Sequence, residues 1–489
     1  MFPSKGCPGA RPGPRERIGG RGNGLHGARR GLSADPRSTI PAIICLVVLV
    51  GCAREEVPER APRRPPPAPK PEEVAHFGGS SVEPILPASG DDAPVMEPCA
   101  VAADSWPWWR GPEANGIGTG LHAPLRWSEK DHVLWKSDVP GRGHSSPIVW
   151  GDRVFLTSAD ETAATQMVLC YDRKTGGLNW STPVHRDGFL HVHANNTHAS
   201  ATPACDGERV LATFLHRDAL WVSALGMDGA ILWQTEAGPF VSVHGGGPSP
   251  AVYGPYVFVN GDNKESGFVA AVDRTTGTLV WRRERPTYLH GGYATPVVTT
   301  LAGRPQLLLT GVGQTTGYDP ATGRVLWSCR GPASQTANSV VWADPCVFAC
   351  GGDPPRVFLC VRADGEGDVT QTHVVWQIAN EAPNVCSPLL CSGRLYTISD
   401  YGVVFCLDAE SGGLLWRERL RGPFFASPVA SRGHVYFSAK SGTTFVFRDA
   451  PQPRLVAENP LDGSIHASPA ISRGQLFLRT DEALYCIGG

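Results

Sequence analysis

The chain has 489 residues, 41% of them hydrophobic and 18% charged, which suits a folded body and excludes disorder throughout. Gly (57) and Pro (44) are abundant, Trp numbers 14 and Met only 4, a composition that disfavours long helices and points to a turn-rich all-β fold. The net charge is −2, but residues 1–51 hold eight Lys/Arg against Glu16 and Asp35, so with +6 there the remainder stands near −8. An acidic body has no electrostatic reason to bind DNA, RNA or an anionic lipid surface.

The first feature along the chain is the apolar run from Ile40 to Val50, behind basic residues. It has the length of a signal-peptide core and is too short to span a bilayer as a helix. It ends in Leu49-Val50-Gly51-Cys52, which resembles the lipobox of bacterial lipoproteins, where a small residue admits the peptidase and the thiol accepts a diacylglyceryl group. Residues 1–51 are therefore expected to be a lipoprotein-type signal peptide, and Cys52 the lipid attachment site. Residues 1–37 are long for an n-region, which suggests a translation start further in. Ala53 after the cysteine implies, by the sorting rule of such lipoproteins, an exported protein on the periplasmic face of the outer membrane. Residues 52–104 are rich in Pro, Glu and Arg, as in Arg63-Arg64-Pro65-Pro66-Pro67, and are expected to form a disordered tether.

From residue 105 the chain repeats itself. The phrase Cys170-Tyr171-Asp172-Arg173-Lys174-Thr175-Gly176-Gly177-Leu178-Asn179-Trp180 returns as Ala271 to Trp281, Gly317 to Trp327 and Cys406 to Trp416, with a shorter copy from Ala224 to Trp233. Trp135, Trp180, Trp233, Trp281, Trp327, Trp376 and Trp416 mark the period, with spacings of 45, 53, 48, 46, 49 and 40. Each unit opens with Ser/Thr-Pro at Pro147, Pro203, Pro250, Pro296, Pro388, Pro428 and Pro469, and Ser339 keeps the place without proline. Alternating runs such as Arg153 to Thr157 predict strands, and Asp-x-x-Thr-Gly predicts the hairpin between the third and fourth. Four strands per roughly 45 residues, repeated eight times, predict an eight-bladed β-propeller of four-stranded blades over 105–489. The last unit has only three strands. Residues 132–136 are expected to supply its fourth, closing the ring and hiding two edges.

The recurring Asp-x-x-Thr-Gly-x-x-x-Trp phrase resembles the tryptophan-docking motif of the PQQ-binding-like β-propeller family, which contains BamB-like propellers and quinoprotein alcohol dehydrogenases. The resemblance implies that each tryptophan packs between blades against a neighbouring Gly turn. An insertion from Arg362 to Thr372 in blade 5 and the degenerate Phe445-Val446-Phe447-Arg448 in blade 7 mark those blades as the least regular. The family's dehydrogenases are implied to need an adjacent Cys-Cys disulfide, calcium ligands and an Asp base. No two cysteines are adjacent here, and there is no Cys-x-x-Cys-His haem site.

Cys170, Cys360, Cys406 and Cys486 share one repeat position and read as small buried residues on separate blades. Cys346 and Cys360 flank a turn and are a candidate disulfide pair. His144, His198, His244, His290 and His466 each precede an opening proline by three to six residues, placing them round one mouth of the central channel. They are either polar lining or a small-ligand or metal site. His144, His198 and His466 share one parity and form the subset expected to face inwards. His191 and His193 are expected in a solvated interblade loop. Trp106-Pro107-Trp108-Trp109-Arg110-Gly111-Pro112 is expected to dock the entering chain on the propeller, the other reading being a sugar-stacking platform.

These readings converge on a lipid-anchored, non-catalytic scaffold that binds other envelope proteins or a small ligand, with no cofactor and no nucleic acid. The alternative is an oxidoreductase or sensor holding pyrroloquinoline quinone or a divalent metal at the histidine-lined mouth.

Overall fold

The computed structural model describes residues 94–241, 243–352 and 356–488, so the signal segment, Cys52 and most of the tether lie outside the described residues. Regular structure among the described residues is β-strand alone, arranged in eight sheets. Blade 1 runs Ile148–Trp150, Arg153–Asp160, Thr165–Asp172 and Leu178–Arg186, each strand antiparallel to the next. Six further blades follow at 204–239, 251–284, 297–330, 341–379, 389–419 and 429–460. Blade 8 takes three strands from 470–487 and its outer strand from Val133–Asp138. Val133 lies opposite Ile487 and Asp138 opposite Ala483, so the two ends of the propeller interlock as the tryptophan spacing predicts.

The repeat phrase explains the interblade joints. In blade 1, Asp172 Oδ1 accepts the N–H groups of Lys174 (3.0 Å) and Thr175 (2.8 Å), which shapes the hairpin, and Asp273 and Asp408 do the same. Gly176 follows at φ +74°, and a Cβ there would lie 2.6 Å from the Trp135 ring. The glycine thus serves both the turn and the close approach of the indole. Trp135, Trp180, Trp233, Trp281, Trp376 and Trp416 each donate Nε1–H to a carbonyl of the next blade, at Arg173, Met227, Arg274, Pro320, Ala409 and Ala450. Cys170, Cys360, Cys406 and Cys486 sit directly opposite Trp180, Trp376, Trp416 and Trp135, where only a small side chain fits.

Trp327 departs from this pattern. Its Nε1–H goes to Gln306 Oε1 of its own blade at 2.7 Å, and Gln306 Nε2–H in turn bonds the Ala363 carbonyl of blade 5 at 3.0 Å, the acceptor that other blades offer the indole directly. The insertion after Arg362 instead lays Gly367–Asp368 parallel to the outer strand of blade 4, Gly367 opposite Trp327. Blade 7, by contrast, is regular, against expectation. It has four strands and the same single bulge, between Val446 and Phe447, that its neighbours carry before the tryptophan position. Ala457 stands in that position, and Trp127 from the entering segment stacks on Tyr436 at 6.4 Å, filling space in the same cluster. The degenerate phrase changed which residue supplies the indole, not the blade.

The eleven described cysteines are free, Cys346 and Cys360 included. Cys346 faces Arg362 and Cys360 faces Phe348, so the two thiols are diagonal across the hairpin rather than opposite. The entering chain crosses one end of the channel. Trp106 pairs with Val149 of blade 1, Pro107 accepts the Cys205 N–H of blade 2, and Ile117–Gly118 lies parallel to the inner strand of blade 7. Further upstream, Glu97 accepts the Gly254 N–H and Met96 packs on the blade 3 cluster, so packing on the propeller starts before the expected boundary at residue 105.

Candidate functional site

Strand direction alternates within a blade, so all first strands start at one face, and the residues before each opening proline gather there. They enclose a cavity of about 540 Å³. Most of the opening Ser/Thr residues ring it. The Ser146 N–H bonds the Thr202 hydroxyl (2.9 Å), Thr202 N–H bonds Ser249, and the relay continues through Thr295, Ser339, Ser387 and Ser427 to Ser468. Seven successive blade pairs, from blade 1 to blade 8, are thus tied at their inner ends by a hydroxyl, at roughly 1 kcal/mol for each bond. The Ser/Thr-Pro phrase was visible in the sequence, but its role was not, since nothing in one repeat reveals a bond to the next.

Trp109 lines this cavity and also a second one, of about 460 Å³, beneath the entering segment. It therefore stands between the two and stops the channel.

The histidines divide. His144 and His466 stack at 4.0 Å with their planes 3° apart, and Phe425 stacks on the other face of His466 at 5.2 Å. His244 lines the cavity too, with the His290 ring 5.5 Å from it. His198 does not join them, a correction to the parity argument. Its Nε2 is 3.0 Å from the Leu190 carbonyl, its ring stacks on Phe189 at 4.0 Å, and Nδ1 is 3.5 Å from Glu161. The period of two fails because the residues around 198 form turns, held by Asn196, Thr197 and Ser200, rather than a strand. His193 lies in an exposed loop, as the sequence suggests, and also lines the cavity, 5.3 Å from His244.

Burial pushes the imidazoles of His144, His244 and His466 down. His144 falls to about 2, through desolvation first and His466 second, and His466 to about 4, through desolvation and Lys440. Both are neutral at pH 7. Their unfolded counterparts protonate near 6.5, so the unfolded chain takes up protons first as pH falls and the native state loses stability below that value. The melting temperature is therefore expected to drop from pH 7 to pH 5. A His144→Phe/His466→Phe variant is expected to drop less, as thermal unfolding at both pH values would reveal.

The lining tests the metal and quinone readings. Two parallel rings send their in-plane lone pairs side by side rather than to one point, and among the described residues no three His, Cys, Asp or Glu side chains form a metal-holding group. Pyrroloquinoline quinone carries several carboxylates. The lining contains no Lys or Arg to meet them, and its one carboxylate, Asp400, is already bonded by Asn384 Nδ2 and the Val385 N–H. The residues present do not fit a calcium-held quinone.

Eight sheets, interblade tryptophans and a stoppered channel define a β-propeller of PQQ-like repeats. The chain belongs to the family described as outer membrane protein assembly factor BamB, whose model matches residues 164–372 and 366–450. No curated protein sequence matches it. Among solved structures it is similar to BamB from Moraxella catarrhalis, with 15% identity and a TM-score of 0.54 over 73% of this chain and 97% of that one. It is also similar to a europium-containing methanol dehydrogenase, with 12% identity and a TM-score of 0.60 over 79% and 98%. The computationally designed Ika8 protein shares 13% identity and a TM-score of 0.52 over 73% and 100%. Identities this low establish the fold alone, and BamB, a dehydrogenase and a designed protein all share it.

Proposed function

We propose that this chain is a non-catalytic interaction scaffold of the BamB kind, tethered through Cys52 to the periplasmic face of the outer membrane and binding other envelope proteins at its blade edges. The observation that carries this reading is the segment on blade 4. Gly367–Asp368 adds as a parallel strand to that blade's outer edge, with Val369 N–H donated to the Ser328 carbonyl and Arg330 N–H to Thr370 Oγ1. An outer strand of this propeller therefore accepts an extended segment by main-chain bonds, which is strand addition. The outer strands of blades 6 and 2 start with exposed Leu414, Leu415, Ile231 and Leu232 beside their tryptophans, giving an incoming strand apolar contacts as well.

Photo-crosslinking residues placed at Leu232 and Leu415 in the membrane-bound protein are expected to give discrete adducts with envelope proteins, and one placed at exposed Glu366 is not. Titration of the purified chain with pyrroloquinoline quinone and calcium is expected to leave the absorbance unshifted. Saturable quinone uptake without edge adducts would overturn the scaffold in favour of the oxidoreductase or sensor reading.

A further inference from the structure

The mouth cavity is not explained by binding at blade edges, and its chemistry is specific enough to name a ligand class. Its volume, about 540 Å³, falls in the range of roughly 300–1,000 Å³ usual for ligand pockets. It is closed below by an indole and open at one face. Its lining has no Lys or Arg, one carboxylate already engaged, and His144 and His466 held neutral by burial. Lys440 lies over the Phe425 ring at 5.6 Å but is not part of the lining, so the lining itself presents no cation to an anion, and among the described residues it lacks the convergent ligands of a metal ion.

What it offers instead is neutral hydrogen bonding in depth. The hydroxyls of Thr202, Ser249, Ser387, Ser427 and Ser468 each accept the N–H of the preceding blade, and none donates its own proton to an acceptor among the described residues. A ring of hydroxyl protons therefore remains for an occupant. The amide side chains of Asn195 and Gln335 line the same space and likewise make no side-chain bond among the described residues. The neutral imidazoles of His144 and His466 add one donor and one acceptor each. Aromatic surface is supplied by Trp109 at the floor and by Tyr401 at an exposed position of the rim, with Phe425, stacked on His466 and under Lys440, completing the wall. Flat apolar faces within a shell of uncharged donors and acceptors match a sugar ring, which has C–H faces and a hydroxyl perimeter.

We propose that the mouth cavity binds a neutral saccharide, a short oligosaccharide seated on Trp109 with its hydroxyls towards the Ser/Thr ring. The site is independent of the edge contacts proposed above. It also gives the entering Trp-Pro-Trp-Trp segment a second role, since the residue that docks the chain is the one that floors the cavity.

The test is saturation-transfer NMR and calorimetric titration of the full chain with diacetylchitobiose, cellobiose and maltose. Saturable binding of at least one is expected, weakened roughly tenfold or more by Trp109→Ala, a loss of about 1.4 kcal/mol. Because Trp109→Ala also joins the two cavities and can unsettle the fold, Asn195→Leu/Gln335→Leu is the second variant. It is expected to melt as the wild type does and to bind several-fold more weakly. A channel holding only water would show no saturation with any of the three sugars into the tens of millimolar, which overturns the proposal. Binding left unchanged by both variants overturns it equally, because the sugar would then sit elsewhere.

Discussion

With Lys136 and Ser137 both replaced by proline, the protein is expected to lose about 3 kcal/mol or more of stability. The two residues lie opposite Tyr485 and Leu484 in the strand that closes blade 8. Neighbouring residues of a strand point their N–H groups to opposite sides, so one of the two prolines must remove a bond of the ladder. The loss does not stop there. Trp135 and Ser137 of the same strand hold blade 1 through Nε1–H to the Arg173 carbonyl (2.8 Å) and Oγ–H to the Gly176 carbonyl (2.7 Å). Releasing the strand opens the ring between its first and last blades and bares two edges. The matching control is Arg417→Pro/Glu418→Pro in the outer strand of blade 6, opposite Phe405 and Val404, which frays one edge but leaves the ring closed by chain continuity. Urea unfolding of both variants decides the matter. Equal losses would mean that closure contributes nothing beyond ordinary edge pairing.

That strand was legible from sequence because tryptophan is rare and its position in the repeat is fixed by a contact every blade needs. Trp135 without a preceding unit had to belong to the last one. The same logic places the small residues opposite the indoles, Cys486 and Cys170 among them. It misjudged blade 7 because the space has to be filled but not by a residue of the repeat. Trp127, outside the period, packs beside Ala457 in the same cluster. The segment on blade 4 was visible only as an insertion, since strand addition is a main-chain event and leaves no side-chain signature.

At the mouth, the sequence located the histidines but not their directions. A period of two holds only within a strand, and the residues before the inner strand of blade 2 turn on Asn196, Thr197 and Ser200 instead. His198 is carried away from the cavity and His193 brought in. Repetition therefore predicts framework well, because every blade solves the same packing problem. It predicts the site poorly, because the site is made where the blades differ.

Asp262→Ala is expected to cost about 3–5 kcal/mol, as large an effect as a single substitution gives here. Asp262 and Arg285 have fully buried side chains and meet at 2.6 Å (Nε to Oδ1) and 3.1 Å (Nη2 to Oδ2), and Nη1 donates to the Tyr318 hydroxyl at 2.6 Å. Both residues belong to blade 3, and the bond to Tyr318 ties the pair to blade 4. Gly292 and Gly311 leave it room, a Cβ on either falling within 2.7 Å of the Asp262 carboxylate. Removing the carboxylate strands a guanidinium that cannot shed its charge. The reverse change is milder. After Arg285→Met the lone Asp262, whose carboxyl burial already pushes up, can take a proton and become neutral. Its folded-state pKa then lies above the unfolded value, so the deficit of Arg285→Met relative to wild type is expected to shrink as pH falls from 7 to 5, while that of Asp262→Ala stays constant. Asp262→Leu/Arg285→Met, which removes both charges, is expected to recover most of the loss. Chemical unfolding of the three variants at the two pH values measures all of this. A deficit of Arg285→Met equal to that of Asp262→Ala at both would show that charge burial is not what the pair resolves.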